Sequence, residues 1–213
     1  MKFCVIGLGR FGYQVATTLA ENGMEVLGID ADETIIASIR DQITQAICMR
    51  ATDEVSLRSV GVDEMDVVIV AMGENFAQSI LVTALLKKRL IIKRVIARAI
   101  NDIHKEILTL IGADQIVLPE QEIGRDLAEA LSLPFMEHTR LSENFSISQL
   151  PAAKQFIGKT ILELPLYDKY HVKCIGVKRG DQIDIVSLDY VIKEGDKLLF
   201  AGHDDALEAI AKL

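Results

Sequence analysis

Short apolar runs alternate with longer amphipathic segments over residues 2–118 of the chain. The runs read KFCVIG, EVLGID, QAICM, DVVIVAM, KRVIARA and ADQIVLP. Helical periodicity follows each run except around SLRSVG, where we expect a short connection instead of a helix. Strands that are apolar almost throughout and are separated by helices are typical of a parallel sheet buried on both faces. The pattern therefore predicts an α/β fold with a doubly wound parallel sheet.

The pattern changes after the sixth run. One more helix is predicted over PEQEIGRDLAEALS, because Pro119 and the acids beside it suit a helix N-terminus and Pro134 follows the end. The next residues, PFMEHTRLSENFS, have no clear period and are expected to form a linker. We therefore predict an N-terminal domain over residues 1–135, a linker over residues 136–144 and a second domain over residues 145–213.

The second domain shows short strands with turn signals, as in FSISQL and DKLLFAG. Gly180 and Asp181 separate two alternating runs and predict a β-hairpin. Residues 203–212 can form a closing helix, so we expect a small α+β domain. A domain of this size gains stability by pairing with another subunit.

The loop GLGRFG, residues 7–12, follows the first predicted strand and opens the first helix. In a dinucleotide-binding turn the three glycines have separate roles: Gly7 makes the tight turn, Gly9 lets backbone amides approach a phosphate, and Gly12 allows close helix packing. The helix N-terminus then supplies unpaired N–H groups. The loop predicts a phosphate site, whereas an ordinary strand-to-helix turn is the alternative.

Asp30 lies at the end of the second predicted strand, where a carboxylate can accept hydrogen bonds from ribose hydroxyls. A carboxylate there would repel a 2′-phosphate, which disfavours NADP. The alternative for Asp30 is a helix cap or a solvated turn acid. Arg10 lies between the second and third glycines and could bind phosphate oxygens bidentately. The alternative for Arg10 is a solvated side chain beside the site.

The crevice of such a sheet lies outside the carboxyl ends of the first and fourth strands, where the strand order reverses. The fourth run ends in AMGENFAQS, so Gly73, Asn75 and Gln78 are expected at this crevice. The ATDE segment, with Asp53, would border the adenine side. Helix capping is the alternative for Asn75 and Asp53. The remaining expected nucleotide contacts are Phe11, Asp32, Thr52 and Ala71.

Charge and composition narrow the classes of partner. The chain has 213 residues and a formal net charge of −8, which argues against general binding of nucleic acid. Its three cysteines are far apart, so neither a disulfide framework nor a metal cluster is expected. Lys and Arg interrupt the longest apolar stretch, and no export signal is apparent, so we expect a cytoplasmic protein.

Catalytic chemistry is poorly supported by the sequence. His104, His138, His171 and His203 are separated, and they form no metal-binding or nucleophile-base motif. We therefore predict no catalytic residues and no enzyme activity. A small NAD(H)-dependent oxidoreductase or an NAD(H)-responsive redox sensor is the alternative, because the same glycine loop and Asp30 would serve it.

The motifs VIGLGRFG, VLGID, ATDE, DVVIVAMGEN, IGAD and LPEQEIG, with the small C-terminal domain, resemble the RCK (KTN) regulatory subunits of bacterial Ktr and Trk potassium transporters. The resemblance covers almost the whole chain. It implies a Rossmann-like N-terminal lobe, a crossover helix and a C-terminal RCK subdomain. It also implies dimers that assemble into tetrameric or octameric rings on the inner face of the membrane, beside an integral membrane K⁺ transporter.

The resemblance further implies ligands and residue roles. ATP, ADP or NAD(H) would bind the crevice and change the ring shape, with Arg10 on terminal phosphates, Asp30 on the ribose and Arg98 near the phosphates. Glu120 matches an acid that joins a divalent cation, Mg²⁺ or Ca²⁺, between subunits, and a helix N-terminal acid is its alternative. Some relatives bind cyclic di-AMP in the C-terminal subdomain, although no motif in residues 145–213 specifies it.

Overall fold

The computed structural model describes residues 1–73, 75–132, 137–142 and 144–213, apart from the side chains of residues 129 and 130. The chain divides into two compact units, Met1–Glu120 and Gln121–Leu213. Each unit contains one sheet and its own hydrophobic core.

A parallel sheet forms the centre of the first unit. Its strands follow the six predicted runs: β1 (Lys2–Ile6), β2 (Glu25–Asp30), β3 (Gln45–Cys48), β4 (Val67–Val70), β5 (Arg94–Arg98) and β6 (Gln115–Val117). They lie in the order β3-β2-β1-β4-β5-β6, which confirms the doubly wound parallel sheet. Strand β1 pairs with β2 on one side and β4 on the other, so the strand order reverses there.

Both faces of this sheet are buried, as the nearly continuous apolar strands predict. Alternating side chains point to opposite faces, so Cys4 and Ile6 belong to one core cluster while Val5 belongs to the other. Helices follow the strands: α1 (Arg10–Glu21), α2 (Glu33–Ile39), α3 (Glu54–Ser59), α4 (Phe76–Lys88) and α5 (Asp102–Ile111). Helix α6 (Pro119–Ser132) begins in the first unit and continues into the second.

Helix α3 corrects the expectation of a plain connection around SLRSVG. The helix is short, but Asp53 caps it: its Oδ1 accepts the backbone N–H of Ser56 at 2.9 Å. Leu57 is fully buried and fixes the helix on the sheet. One cap and one buried side chain are too weak a periodic signal to find a helix of this length.

An antiparallel sheet forms the second unit. Its strands are β7 (Glu137–Ser142), β8 (Phe145–Pro151), β9 (Lys173–Arg179), β10 (Gln182–Ile185) and β11 (Lys197–His203), in the order β10-β9-β11-β8-β7. Two helices, α7 (Leu166–Tyr170) and α8 (Asp204–Ala211), accompany the sheet. The predicted hairpin joins β9 to β10 and turns at Gly180, where φ is +61°. The unit therefore has the predicted α+β composition.

Strand β7 corrects the expectation of a linker over residues 136–144. It is an edge strand whose half-buried positions, His138 and Arg140, are polar, so it lacks the apolar alternation that marks a strand. Its pairing with β8 is supported by the contact between His138 Nδ1 and Ser148 Oγ at 2.8 Å. Residues 133–136 and 143 lie outside the described residues, and the predicted division at residues 135 and 145 stays a prediction.

Candidate functional site: a crevice at the carboxyl edge of the parallel sheet

A cavity of about 1440 Å³ opens at the carboxyl edge of the parallel sheet. Its floor includes Ile6 at the end of β1, Asp30 at the end of β2 and Arg98 at the end of β5. The cavity therefore lies at the point where the strand order reverses, which is where ligands bind in open α/β sheets.

The structure brings together most of the predicted nucleotide contacts around this cavity. Those that line it are Gly7, Gly9, Arg10, Phe11, Asp30, Asp32, Thr52, Ala71, Gly73, Asn75, Gln78 and Arg98. Glu120, the predicted cation ligand, lies on the same lining. Two predicted contacts, Gly12 and Asp53, do not line the cavity. Residue 74 of the AMGEN motif lies outside the described residues.

Glycine suits the three glycine positions of the loop for different structural reasons. Gly7 has φ +90°, a conformation that other residues rarely adopt. A Cβ on Gly12 would lie 1.9 Å from the carbonyl oxygen of Gly7, so only glycine lets α1 start this close to the loop. A Cβ on Gly9 would meet nothing within 4 Å. Gly12 therefore serves packing, whereas Gly9 leaves open space beside the cavity.

The N-terminus of α1 borders the cavity without a side-chain cap. Gly9 is the N-cap residue, no side chain accepts from the first turn, and that turn contains no acid. The first intrahelical bond runs from Tyr13 N–H to the Gly9 carbonyl at 2.8 Å. The N–H groups before it have no intrahelical acceptor, and together with the helix dipole they favour an anion here.

The Asp30 carboxylate holds the loop as well as facing the cavity. Its Oδ2 accepts the backbone N–H of Leu8 at 2.6 Å, and its Oδ1 accepts the backbone N–H of Asp32 at 2.9 Å. Each carboxylate oxygen can accept a second hydrogen bond, so the predicted ribose contact stays compatible with these bonds. The sequence predicted a ribose contact for Asp30, with a helix cap or a solvated turn acid as the alternative, and did not indicate its bond to the loop at Leu8.

The two acids at the start of α2 and α3 are helix caps. Asp32 Oδ1 accepts the backbone N–H of Thr34 at 2.8 Å, and hydrogen bonds from Thr34 hold the pKa of Asp32 below its usual value. Hydrogen bonds from the backbone N–H and hydroxyl of Ser56 likewise lower the pKa of Asp53. Asp53 therefore has the helix-capping role, which was the alternative to its predicted nucleotide contact. Its neighbour Thr52 lines the cavity.

Asn75 caps a helix and also lines the cavity. Its Oδ1 accepts the backbone N–H of Gln78 at 3.1 Å and caps α4, and both side chains line the cavity. The amide of Asn75 also donates to Gln78 Oε1 at 3.2 Å. The cap places two amide side chains on the crevice, where they could hydrogen-bond a ligand.

Arg98 crosses the cavity from β5 to the start of α6. Its Nη2 donates to Glu120 Oε1, and its guanidinium carbon lies 5.8 Å from the centre of the Phe11 ring. A Cβ on Gly73 would lie 2.2 Å from Arg98 Nη1, so the guanidinium packs directly on the backbone there. A side chain at position 73 would therefore have to displace the Arg98 guanidinium from this place.

Sequence reasoning missed several residues of the lining. Tyr13 and Ser38 extend the cavity along α1 and α2, and Tyr13 Oη is 2.6 Å from Gln42 Nε2. Arg50 lines the cavity after β3. Helical spacing could have found Tyr13, which lies one turn after Arg10. No such signal marks Arg50. Which residue follows β3 at the carboxyl edge of the sheet depends on the length of that strand.

Other chemistry is limited in the described part of the chain. No group of three or more His, Cys, Asp or Glu side chains there could hold a metal ion, so Glu120 alone does not make a cation site. His104 is fully buried and lies outside the cavity lining. None of the described helices is both long and apolar enough to cross a membrane.

Family models match both units of the chain. A TrkA-N domain model matches residues 3–119, and a TrkA-C domain model matches residues 147–213. The chain is 36% identical over 203 residues to Ktr system potassium uptake protein C of Bacillus subtilis, covering 94% of this chain and 91% of that protein. It is 31% identical over 208 residues to Ktr system potassium uptake protein A of Vibrio alginolyticus, covering 97% and 94%.

Solved structures share the fold. The GsuK channel bound to NAD has a TM-score of 0.55 at 23% identity, covering 99% of this chain and 38% of that one. GsuK bound to ADP has a TM-score of 0.54 at 24% identity, covering 62% and 34%. The TrkA-N domain of the inner membrane protein YbaL from Escherichia coli has a TM-score of 0.56 at 23% identity, covering 62% and 96%. This chain thus spans well under half the length of the GsuK chains.

Proposed function

Because this chain belongs to the TrkA family of Ktr and Trk system potassium uptake proteins, we propose that it is a nucleotide-sensing regulatory subunit that gates a membrane potassium transporter. The family gives the link to potassium uptake. The gating mechanism, the ligand and the assembly belong to the proposal.

One observation carries the ligand assignment: the capless N-terminus of α1 and the Asp30 carboxylate border the same cavity at the sheet's reversal point. The helix end suits a phosphate, and a carboxylate at the end of β2 suits ribose hydroxyls. An adenine nucleotide offers both groups. Solved GsuK structures contain NAD or ADP, and we extend this ligand class to the present chain as ATP, ADP or NAD(H).

Gating requires that two nucleotides favour different arrangements of the subunits. A ligand shifts a conformational equilibrium only by its difference in affinity between the two states. Arg10 is suited to create such a difference, because it lines the cavity beside the loop and makes no side-chain hydrogen bond or ion pair within the described residues. A guanidinium there would contact a terminal phosphate of the same subunit or a neighbouring one.

The proposed assembly is a homodimer that builds a tetrameric or octameric ring on the inner face of the membrane, beside an integral K⁺ transporter. Glu120 would take part in a divalent cation site only with ligands from a second subunit or the nucleotide, since no metal cluster forms within the described residues. Cyclic di-AMP stays a proposed ligand of the C-terminal domain.

We propose that the nucleotide is not consumed. The cavity lining within the described residues contains no His, Cys or Lys side chain, so proton exchange with a substrate would fall to Tyr13 or to a carboxylate such as Asp30, whose two oxygens already accept backbone N–H groups. The alternative, an NAD(H)-dependent oxidoreductase or redox sensor, would use the same loop and Asp30. Incubation with NADH and small carbonyl compounds distinguishes the two, because steady loss of NADH absorbance would establish hydride transfer.

Potassium uptake into proteoliposomes tests the gating proposal. The vesicles would contain the Ktr- or Trk-type membrane subunit of the same organism, with the present protein added outside together with ATP, ADP or NADH. We expect uptake to depend on the added protein and to differ between at least two nucleotides. If the protein binds these nucleotides but K⁺ uptake is the same with each of them, gating by the nucleotide would be contradicted.

A further inference from the structure

The Arg98 guanidinium has more donors than acceptors. Its Nη2 donates to Glu120 Oε1, but its Nε is buried and has no acceptor within the described residues. Its Nη1 lies against the backbone of Gly73, where a Cβ would be 2.2 Å away. A buried donor without an acceptor is costly, so this guanidinium favours an anion that engages more of its donors than Glu120 does.

The two partners of this ion pair are held very differently. The Arg98 side chain is only 19% exposed and lies between Gly73 and the Phe11 ring, whereas the Glu120 side chain is 66% exposed. Glu120 is the second residue of α6 and is itself held by no other hydrogen bond or ion pair within the described residues. The arginine is therefore fixed in the cavity, and the glutamate is the partner that can leave.

The position of Arg98 also brings it close to the phosphate loop. Phe11, over which the guanidinium lies, is in the first turn of α1, and Gly73 follows β4 on the other side of the crevice. An anion at the N-terminus of α1 would lie within the same cavity as the unused Arg98 donors. A phosphate can accept two parallel guanidinium N–H bonds, which an exposed glutamate forming one bond does not match.

We propose that the Glu120 carboxylate competes with a nucleotide phosphate for the Arg98 guanidinium, so that the two exclude each other there. Glu120 thereby sets how much phosphate charge a ligand needs in order to displace it. This inference rests on the proposed nucleotide site and assigns its regulation. Ligands with two or three phosphates displace the carboxylate, whereas a nucleoside without phosphate leaves the ion pair intact.

Calorimetric titrations of the full-length protein in EDTA test this competition, because EDTA removes any contribution of divalent cations. The probes are ADP and adenosine. We expect Glu120→Gln to bind ADP about three- to tenfold more tightly than the unsubstituted protein, since an amide competes less well for a guanidinium. Adenosine affinity is expected to be unchanged. Glu21→Gln, at an exposed position of α1 outside the cavity lining, is the control for net charge.

A double-substitution cycle separates competition from simple charge repulsion. In an Arg98→Met background, Glu120→Gln is expected to have no effect on ADP affinity, because the shared partner is gone. If Arg98→Met does not fold, Arg98→Lys replaces it, with an effect of Glu120→Gln smaller than with arginine. An equal gain in the Arg98-substituted background would show repulsion without partner exchange and overturn the inference.

The outcomes distinguish the inference from the proposed function. If the unsubstituted protein is folded and binds no nucleotide, the proposed function fails. If it binds ADP and Glu120→Gln leaves that affinity unchanged or weaker, the competition fails while the nucleotide site stands. A gain for adenosine equal to the gain for ADP would likewise contradict a competition for phosphate.

Discussion

Asp30 Oδ2 accepts the backbone N–H of Leu8 at 2.6 Å across the turn that joins β1 to α1. The two residues are 22 positions apart, and this bond fixes the glycine loop to the end of the neighbouring strand. The second oxygen of Asp30 accepts the N–H of Asp32. The carboxylate therefore shapes the loop and faces the ligand cavity at the same time.

Replacing Asp30 by Asn is expected to affect stability and binding together. The N–H groups of Leu8 and Asp32 bond to different carboxylate oxygens, so in the Asn variant one of them would face the amide NH₂ group, which is a donor. We expect the free energy of unfolding to fall by about 1–2 kcal/mol, measured by urea denaturation, and ADP and NADH affinities to fall together in calorimetry.

Asp32→Asn is the matched control for this substitution. Asn caps a helix about as well as Asp, so the bond from Thr34 N–H is retained. We expect stability to change little. If Asp30→Asn were as stable as the unsubstituted protein, the structural role of the Leu8 bond would be refuted.

The loop glycines are expected to respond differently to alanine. Gly12→Ala would place a methyl group 1.9 Å from the Gly7 carbonyl oxygen, so we expect a loss of about 3 kcal/mol or more of stability. Gly9→Ala has open space around its methyl group and ordinary backbone angles. It should keep stability within about 1 kcal/mol while ADP affinity falls about tenfold or more. Thermal unfolding and calorimetry on both variants check this, and unchanged ADP binding by Gly9→Ala would argue against a phosphate at the loop.

Arg10 is expected to distinguish ATP from ADP. If its guanidinium contacts a terminal phosphate, Arg10→Ala should weaken ATP binding by about tenfold or more, because charge-assisted hydrogen bonds contribute about 1.5–3 kcal/mol each. ADP binding should change less. Arg40→Ala is the control, because the exposed Arg40 side chain lies 3.8 Å from Asp41 and outside the cavity lining. An equal loss for both nucleotides would remove the terminal-phosphate role.

His104 is expected to make stability depend on pH. The ring is fully buried against Phe76, neither nitrogen has a hydrogen-bond partner within the described residues, and burial lowers the pKa of the imidazole. The unfolded chain therefore binds this proton more readily. Stability should fall as the pH drops below about 6.5, with a contribution approaching about 1.4 kcal/mol per pH unit.

Urea denaturation at several pH values between about 5 and 8 checks the His104 prediction. His104→Leu should lose less stability on acidification than the unsubstituted protein. The carboxylates titrate in both proteins, but only the unsubstituted one has the buried imidazole. His171→Asn is the control: His171 is exposed with φ +56°, a conformation that Asn tolerates. Identical pH profiles for His104→Leu and the unsubstituted protein would show that His104 does not bind a proton on unfolding in this range.

The parallel sheet could be predicted because burial on both faces makes each strand an almost continuous apolar run. Strand β7 could not, because an edge strand such as Glu137–Ser142 is held by backbone pairing and exposes most of its side chains. Helix α3 was missed for a related reason: its buried face amounts to Leu57 alone.

Site residues could be predicted from the sequence where a motif fixes the local backbone. They were harder to predict where elements distant in sequence come into contact. Gly7 and Gly9 follow β1, and Asp30 ends β2, so their place on the cavity follows from the fold class. The contact of Arg98 with Glu120 joins β5 to α6, and that of Asp30 with Leu8 joins the end of β2 to the loop after β1. Such pairs depend on strand register and side-chain reach, which one sequence does not specify.

Native mass spectrometry of the purified oligomer shows directly whether a nucleotide is bound and whether it is consumed. The folded protein, incubated with ATP, ADP or NADH, is expected to carry one intact nucleotide per subunit and to release it chemically unchanged after hours. Folded oligomer that takes up none of these nucleotides, or that converts the bound one to product, would contradict this expectation.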